Sequence, residues 1–398
     1  MTMARQRIVI AGGGWGGIKA AHDLVARLGR EHEVVLVDPN PVFRLGFRKT
    51  WMLVGRTAPH EATRSKTALA GRGVRYVQER ITAIDIPGRT VTTEAQSLEW
   101  DYLIVALGAE PRPDLVPGFA RTPGAFNLYD PQSVLAARDR LSALSGGRIL
   151  VAILGLPYKC PPAPYEAALL LDEHLRQRGA AARQAFQLAV LSPQPASVPV
   201  AGEAGCRIIE SSLALRQIAF HPNRPVARVE PGRVIDANGG EEPFDLLLGV
   251  PPHRIPAVAV EAGLAEPNGW IAVDPATLRT RFERVYAVGD CTQILMANGQ
   301  PLPKAGVFAE GEAAVAAAAI AAEIAGGPRP PAFTGEGYCF LELGGGLATL
   351  VRGEFLARPA PRVEVESPSR RFLEQKLAFE RERLDGWFGV AAGAIETS

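Results

Sequence analysis

Cysteine is scarce in this chain. There are four in 398 residues, at positions 160, 206, 291 and 339, too few and too scattered for a disulfide-stapled scaffold. No two lie within four residues of each other, so the thiolate spacing of a structural zinc site is missing and no metal is expected. A surplus of one charge is lacking too. The 43 basic and 42 acidic residues leave a net charge of +1, which gives no electrostatic case for nucleic acid as a partner. No uncharged apolar run reaches membrane-spanning length. The longest alanine-rich stretch, Ala313–Ala322, is bracketed by Glu310, Glu312 and Glu323 and reads as a soluble helix. Met-Thr-Met-Ala-Arg-Gln-Arg at the start runs straight into a strand, so no signal peptide is visible. The location expected is cytoplasmic, or peripheral on the cytoplasmic face of a membrane. The 41 glycines and 33 prolines follow no period, which excludes collagen-like and low-complexity chains. A 47% hydrophobic, 21% charged chain of this length has apolar side chains for two or three globular domains.

What is present is an alternation of strands and helices. Arg7–Ala11 is a short, continuously apolar run of the kind buried in parallel sheets. Helical spacing follows over Gly16–Leu28, then a strand over Glu33–Val37, which together make a βαβ unit. Further strand runs are Tyr102–Ala106, Arg148–Leu154, Phe186–Leu191, Phe244–Val250 and Arg284–Val288. Helical stretches are Pro131–Leu144, Tyr165–Arg178, Gly205–Ile218, Lys304–Ile324 and Ser369–Phe388. The fold class expected is α/β: two Rossmann-like dinucleotide-binding-type domains, the second inserted in the first, and a small C-terminal α+β domain. The boundaries expected are 1–115 with 268–328, then 116–267, then 329–398.

Gly12, Gly14 and Gly17 form a G-x-G-x-x-G motif between the first strand and its helix. Glycine allows the tight turn, the approach of backbone to a pyrophosphate, and close helix–strand packing. Asp38 ends the second strand, where a carboxylate accepts ribose hydroxyls. Val285–Asp290 is a strand ending in Gly-Asp, and Tyr102–Gly108 a strand ending in a glycine turn. Flavoproteins with two dinucleotide domains carry these patterns in this order, with the aspartate (here Asp290) on the ribityl chain of FAD. Such an enzyme would need a second glycine motif after Arg148–Leu154 to take electrons from a nicotinamide. Gly155-Leu156-Pro157-Tyr158-Lys159-Cys160-Pro161-Pro162 stands there, and Phe186–Leu191 ends in Ser192-Pro193. Proline and bulky side chains keep backbone from a pyrophosphate, so nicotinamide binding is expected to be lost. In its place is Cys160, read as sitting at a helix start beside Lys159, two features that favour a thiolate.

Pro157–Glu166, Asp245–His253, Gly269–Thr292 and Leu302–Glu310 resemble segments of the sulfide:quinone oxidoreductase and flavocytochrome c sulfide dehydrogenase flavoproteins, within the pyridine-nucleotide-disulfide oxidoreductases. The resemblance implies an FAD-dependent oxidoreductase with a redox disulfide between Cys160 and Cys339. Hydrosulfide would open it, leaving a persulfide and a thiolate, and two electrons would pass through FAD to an acceptor. It implies an acid/base role for Glu166 and a place for Lys304 at the flavin. With no cysteine before Cys160, FAD is expected to be non-covalent. No cysteine falls in Phe119–Asp130, which departs from three-cysteine members. Cys291 reads as packing and Cys206 as a helix residue. The partners expected are sulfide or a related sulfur species and a quinone, favoured over a cytochrome acceptor. The C-terminal helix carries Phe372, Leu373, Leu377, Leu384, Trp387 and Phe388 beside Arg370, Arg371, Lys376, Arg381 and Arg383. It reads either as an interfacial membrane contact over 370–388 or as a helix packed on its own domain or on a homodimer partner. The alternatives are a type II NADH dehydrogenase-like enzyme and a flavin redox sensor without turnover.

Overall fold

The structure, a computed structural model, describes residues 5–328 and 330–389. The expected absence of a signal peptide, and the expected domain ends, rest partly on residues 1–4, 329 and 390–398, which lie outside the described residues.

Strand β1 (Arg7–Ala11) leads through the glycine turn into helix α1 (Trp15–Leu28) and returns in β2 (Glu33–Val37). Both strands are apolar throughout because both faces are covered. Ile8, Ile10, Val34 and Leu36 pack in one cluster, while Val9, Ala11, Val35 and Val37 pack in another. A short helix α2 (Arg48–Leu53) follows, then β3 (Val74–Val77), an antiparallel meander over 81–99, and β4 (Tyr102–Val105). The chain then builds a second sheet from β5 (Ala125–Asn127), β6 (Gly147–Ile153), β7 (Phe186–Leu191), β8 (Ile218–His221) and β9 (Leu246–Val250), with helix α3 (Ala163–Gln177) between β6 and β7. Its order is β5-β9-β6-β7-β8, all parallel. Strand β10 (Val285–Ala287) comes back to the first sheet beside β4, completing the parallel order β10-β4-β1-β2-β3. Helix α4 (Gly306–Ala325) packs on α1. Gly16 permits the close contact: a Cβ there would stand 3.0 Å from Val288 and 3.4 Å from the Ala309 carbonyl. The C-terminal part is an antiparallel sheet of β11 (Glu336–Gly344), β12 (Leu347–Glu354) and β13 (Arg362–Val365), covered by α5 (Arg370–Phe388).

The α/β architecture, with the second parallel sheet built between strands of the first, is the one expected. Two local differences have physical reasons. The helix read over Gly205–Ile218 ends at Leu215; Gln217 turns the backbone through φ 55° and Ile218 opens β8. Pairing with β7 satisfies its backbone and leaves Ile218 3% exposed. Strands β3, β5 and the C-terminal sheet carry too few contiguous apolar residues to stand out alone. Among the described residues, no helix is long and apolar enough to cross a membrane.

Candidate functional site

The first sheet's glycine turn, its Gly-Asp turn, the loop before α3 and strand β11 converge on one cavity of about 620 Å³. Gly12, with φ 108°, closes the turn: a Cβ would lie 2.3 Å from the Ala106 carbonyl. A Cβ on Gly17 would lie 1.9 Å from the Gly12 carbonyl, so α1 can pack against its own turn only through glycine. Gly14 is different. A Cβ there meets no protein atom within 4 Å, so the space it keeps open is not used by the protein itself. It caps α1, whose first N–H groups are short of intrahelical partners, the arrangement that holds a phosphate. Gly108 turns the chain after β4 through φ 68° at the cavity wall. These glycines fit the pyrophosphate of a dinucleotide.

Asp38 accepts from Gly13 N at 2.7 Å and Asn40 N at 2.8 Å, and it binds Lys66 Nζ at 2.7 Å. Lys66 is 2% exposed, and nothing in its sequence neighbourhood pointed to it. Asp290 also lines the cavity; burial raises its carboxyl pKa while Lys159 and Lys304 pull it down. Lys304 sits just ahead of α4 and donates to the Asp290 carbonyl at 2.8 Å and the Thr292 carbonyl at 3.0 Å. Its ammonium is 3.4 Å from the Trp270 ring centre, and burial lowers its pKa to about 8. Glu312, read only as a flanking charge, is 2% exposed and accepts from Gly289 N. Burial pushes its pKa up to about 8.

Cys160 and Cys339 line the same cavity, brought there by the second sheet and the C-terminal sheet. Both are half-buried, and all four cysteines are thiols in this structure. Cys160 holds a left-handed φ of 53°, donates its N–H to the Lys304 carbonyl at 2.8 Å, and its own carbonyl accepts from Tyr129 Oη at 3.1 Å. Two sequence expectations about it need correction. Cys160 precedes the helix, which begins at Ala163. Lys159 does not face it as a counter-charge, since its Nζ donates to the Ala109 carbonyl at 3.3 Å. Burial raises the Cys160 pKa, Lys49 and then Lys376 oppose that, and Glu166 adds to it. Burial and the neighbouring Cys160 hold the Cys339 thiol well above its ordinary range. Cys291 is fully buried with its Sγ near the Val288 and Val105 carbonyls, and Cys206 lies buried on the helix Gly202–Leu215.

Glu166 is 2% exposed. Its Oε1 accepts from Lys376 Nζ at 3.0 Å and Glu342 N at 2.8 Å. Lys376 also binds Glu342 Oε2 at 3.2 Å, and Glu342 is held further by Trp51 Nε1 at 2.8 Å and by Arg56. Residues from α2, α3, β11 and α5 therefore meet in one buried ionic network behind the cysteines. Lys376, one of the basic residues of α5, is buried. Phe372, Leu384, Trp387 and Phe388 are buried as well, with Trp387 5.4 Å from Trp15 and Phe388 stacked at 5.7 Å on Phe43. The apolar side of α5 thus packs on its own chain, the second of the two readings of that helix. What the helix exposes includes Arg370, Arg371, Leu377 and Arg381.

Where a nicotinamide glycine turn would lie, Tyr158 is buried and donates to the Pro161 carbonyl at 3.1 Å. A Cβ on Gly155 would stand 2.9 Å from Pro252. Proline and tyrosine fill that turn.

Residues 6–153 match the family described as pyridine nucleotide-disulphide oxidoreductase. The sulfide-quinone reductase of Aquifex aeolicus is 27% identical over 94% of this chain and 90% of its own length. The mitochondrial sulfide:quinone oxidoreductase of mouse is 26% identical over 72% of this chain and 66% of its own, so this chain spans just under two thirds of it. The crystal structure of the Aquifex sulfide:quinone oxidoreductase shares the fold, with a TM-score of 0.85 at 24% identity over 97% of this chain and 93% of that one. With a glycine turn, Asp38 and Asp290 shaped for a dinucleotide, the chain is similar over nearly its whole length to a sulfide-quinone reductase, and its residues 6–153 match the pyridine nucleotide-disulphide oxidoreductases.

Proposed function

We propose that the protein oxidises sulfide and passes two electrons through a Cys160–Cys339 disulfide and non-covalent FAD to a quinone. The observation that carries this reading is that two cysteines 179 residues apart line the cavity that the dinucleotide glycines also line. Hydrosulfide attacks one sulfur of the disulfide. The S–S bond breaks, the attacked cysteine becomes a persulfide, and the other sulfur leaves as a thiolate with the electron pair. FAD, when bound, supplies the two-electron acceptor, and the quinone takes up the pair with two protons. The outer sulfur, now at the zero oxidation level, departs to further sulfide or another thiol, and the disulfide re-forms.

The roles of the chain's own residues follow from this reading. Gly12, Gly14, Gly17, Gly108, Asp38, Asp290 and Lys304 bind the cofactor. Glu166 moves a proton through Oε2, the oxygen not engaged by Lys376 and Glu342 N–H. Tyr338, Phe340 and Phe379, with ring centres 5.7–6.0 Å apart, line both this cavity and an outer groove of about 770 Å³. That shared aromatic lining supports a quinone acceptor. A lipid-dissolved acceptor in turn argues for peripheral membrane contact, for which the exposed Arg370, Arg371, Leu377 and Arg381 are the proposed surface. A homodimer, and the division into 1–115 with 268–328, 116–267 and 329–398, belong to the same reading.

The test is anaerobic mixing of the FAD-loaded protein with sulfide and with NADH in separate cuvettes. Sulfide is expected to bleach the flavin band, and a short-chain quinone to restore it. Cys160→Ser should slow bleaching by on the order of 10³-fold or more. Bleaching by NADH and not by sulfide, or full turnover by Cys160→Ser, overturns the reading.

A further inference from the structure

Three lysines among the described residues are buried to 8% exposure or less: Lys49, Lys66 and Lys376. Buried ammonium groups are kept charged by carboxylates, because leaving one unpaired in a low-dielectric interior is expensive. Lys66 has Asp38, and Lys376 has Glu166 and Glu342. For Lys49, no carboxylate lies within ion-pairing distance among the described residues. Its Nζ donates to the Gly46 carbonyl at 3.1 Å and lies 4.3 Å from the centre of the Tyr129 ring. An ammonium has three N–H donors, so the carbonyl and the ring face leave capacity for an anion. Lys49 lines the cavity together with Cys160 and Cys339. Tyr129 also ties the two sites, since its hydroxyl donates to the Cys160 carbonyl.

We infer that Lys49 is the counter-cation of the sulfur anion in this cavity, pairing with the thiolate of Cys160 and attracting hydrosulfide to it. The identity of the incoming anion rests on the sulfide reading above; the pairing with Cys160 does not. Each step of that reading places negative charge beside Lys49. Hydrosulfide arrives as an anion, and opening of the disulfide frees a thiolate. Two facing groups oppose that charge: Glu166, which raises the Cys160 pKa, and Cys339, a second sulfur. Lys376 assists, but its charge is already divided between two carboxylates. Lys159 is turned to the Ala109 carbonyl. Burial lowers the Lys49 pKa and Cys160 raises it again, the mutual effect of a paired cation and thiol.

The experiment follows the pH dependence of Cys160 alkylation by iodoacetamide in reduced, FAD-loaded protein, with the modified peptide identified by mass. In Lys49→Met the midpoint should rise by about one unit or more, and in Lys49→Arg it should stay close to wild type. Flavin reduction by sulfide should show a raised apparent KM in Lys49→Met, restored in Lys49→Arg. FAD content reports folding, and Lys49→Gln stands in if the methionine variant does not retain flavin. An unchanged midpoint in the neutral variant overturns the inference, as does an arginine variant that behaves like methionine. If wild-type protein fails to react with sulfide, the sulfide reading falls while the alkylation result still decides the role of Lys49.

Discussion

Gly12, Gly14 and Gly17 look alike in the sequence and do different work. Gly12 and Gly17 are required by the protein's own backbone, whereas Gly14 keeps space that the protein leaves empty. Gly14 also has an ordinary backbone conformation, φ −84° and ψ −159°, which alanine can adopt. Gly14→Ala should therefore cost the FAD-free protein no more than the roughly 1 kcal/mol of a poorer helix cap, while weakening FAD binding tenfold or more. Denaturant titration of the flavin-free protein and fluorescence titration with FAD check the two halves. Gly17→Ala should destabilise both forms, because its Cβ has nowhere to go. The glycines, Asp38 and Cys160 were legible from residue type and spacing. Lys49 and Lys66 were not: each lies in a segment with no pattern, and its meaning comes from a partner distant in sequence or from the lack of one.

At the scale of elements, α5 is the informative case. Its helical period and its mixture of aromatic and basic residues were plain, but which side faces inward depends on neighbours the sequence does not order. The structure turns Lys376 toward Glu166 on α3 and Glu342 on β11 and seats Trp387 and Phe388 against Trp15 and Phe43. Lys376→Met would leave two buried carboxylates without that cation. Arg56, 30% exposed, is left to hold Glu342. The expected loss is about 3–5 kcal/mol, read as a lower urea midpoint of the FAD-loaded protein. Adding Glu166→Gln should recover part of it; no recovery would mean that packing of the lysine stem, not its charge, is what α5 contributes.

Across the whole molecule, two parallel sheets and one antiparallel sheet close around a cavity lined by five lysines and one arginine against three carboxylates. Such a site suits the phosphates of a dinucleotide and a small anion. Enclosing it also traps Glu312. Its folded pKa of about 8 exceeds its ordinary value of 4.5, so the folded state holds a proton that the unfolded state releases between those pH values. Stability from this group is full below pH about 4.5 and is lost as pH rises towards 8. His253, whose buried ring is lowered to about 3, pulls in the opposite sense below its ordinary 6.5. The sign is isolated by comparing FAD-free wild type with Glu312→Gln. The glutamine variant should be the more stable by on the order of 3 kcal/mol at pH 8, with the gain vanishing near pH 4.5. A gain independent of pH would refute the assignment.

By itself the sequence determined the α/β class, the dinucleotide turn, the presence of Cys160 and the blocked second nucleotide turn. Each is written in local order, as apolar runs of fixed period, glycines where backbone must come close, and prolines where it cannot. The tertiary structure alone decided what those pieces face. It brought Cys339 to the cavity of Cys160, turned Lys159 to the Ala109 carbonyl, placed the buried Lys49 in the cavity wall, and folded the apolar side of α5 inward. Charge pairing and burial depend on distance through space, and residues far apart in the chain set that distance only when the sheets and helices pack.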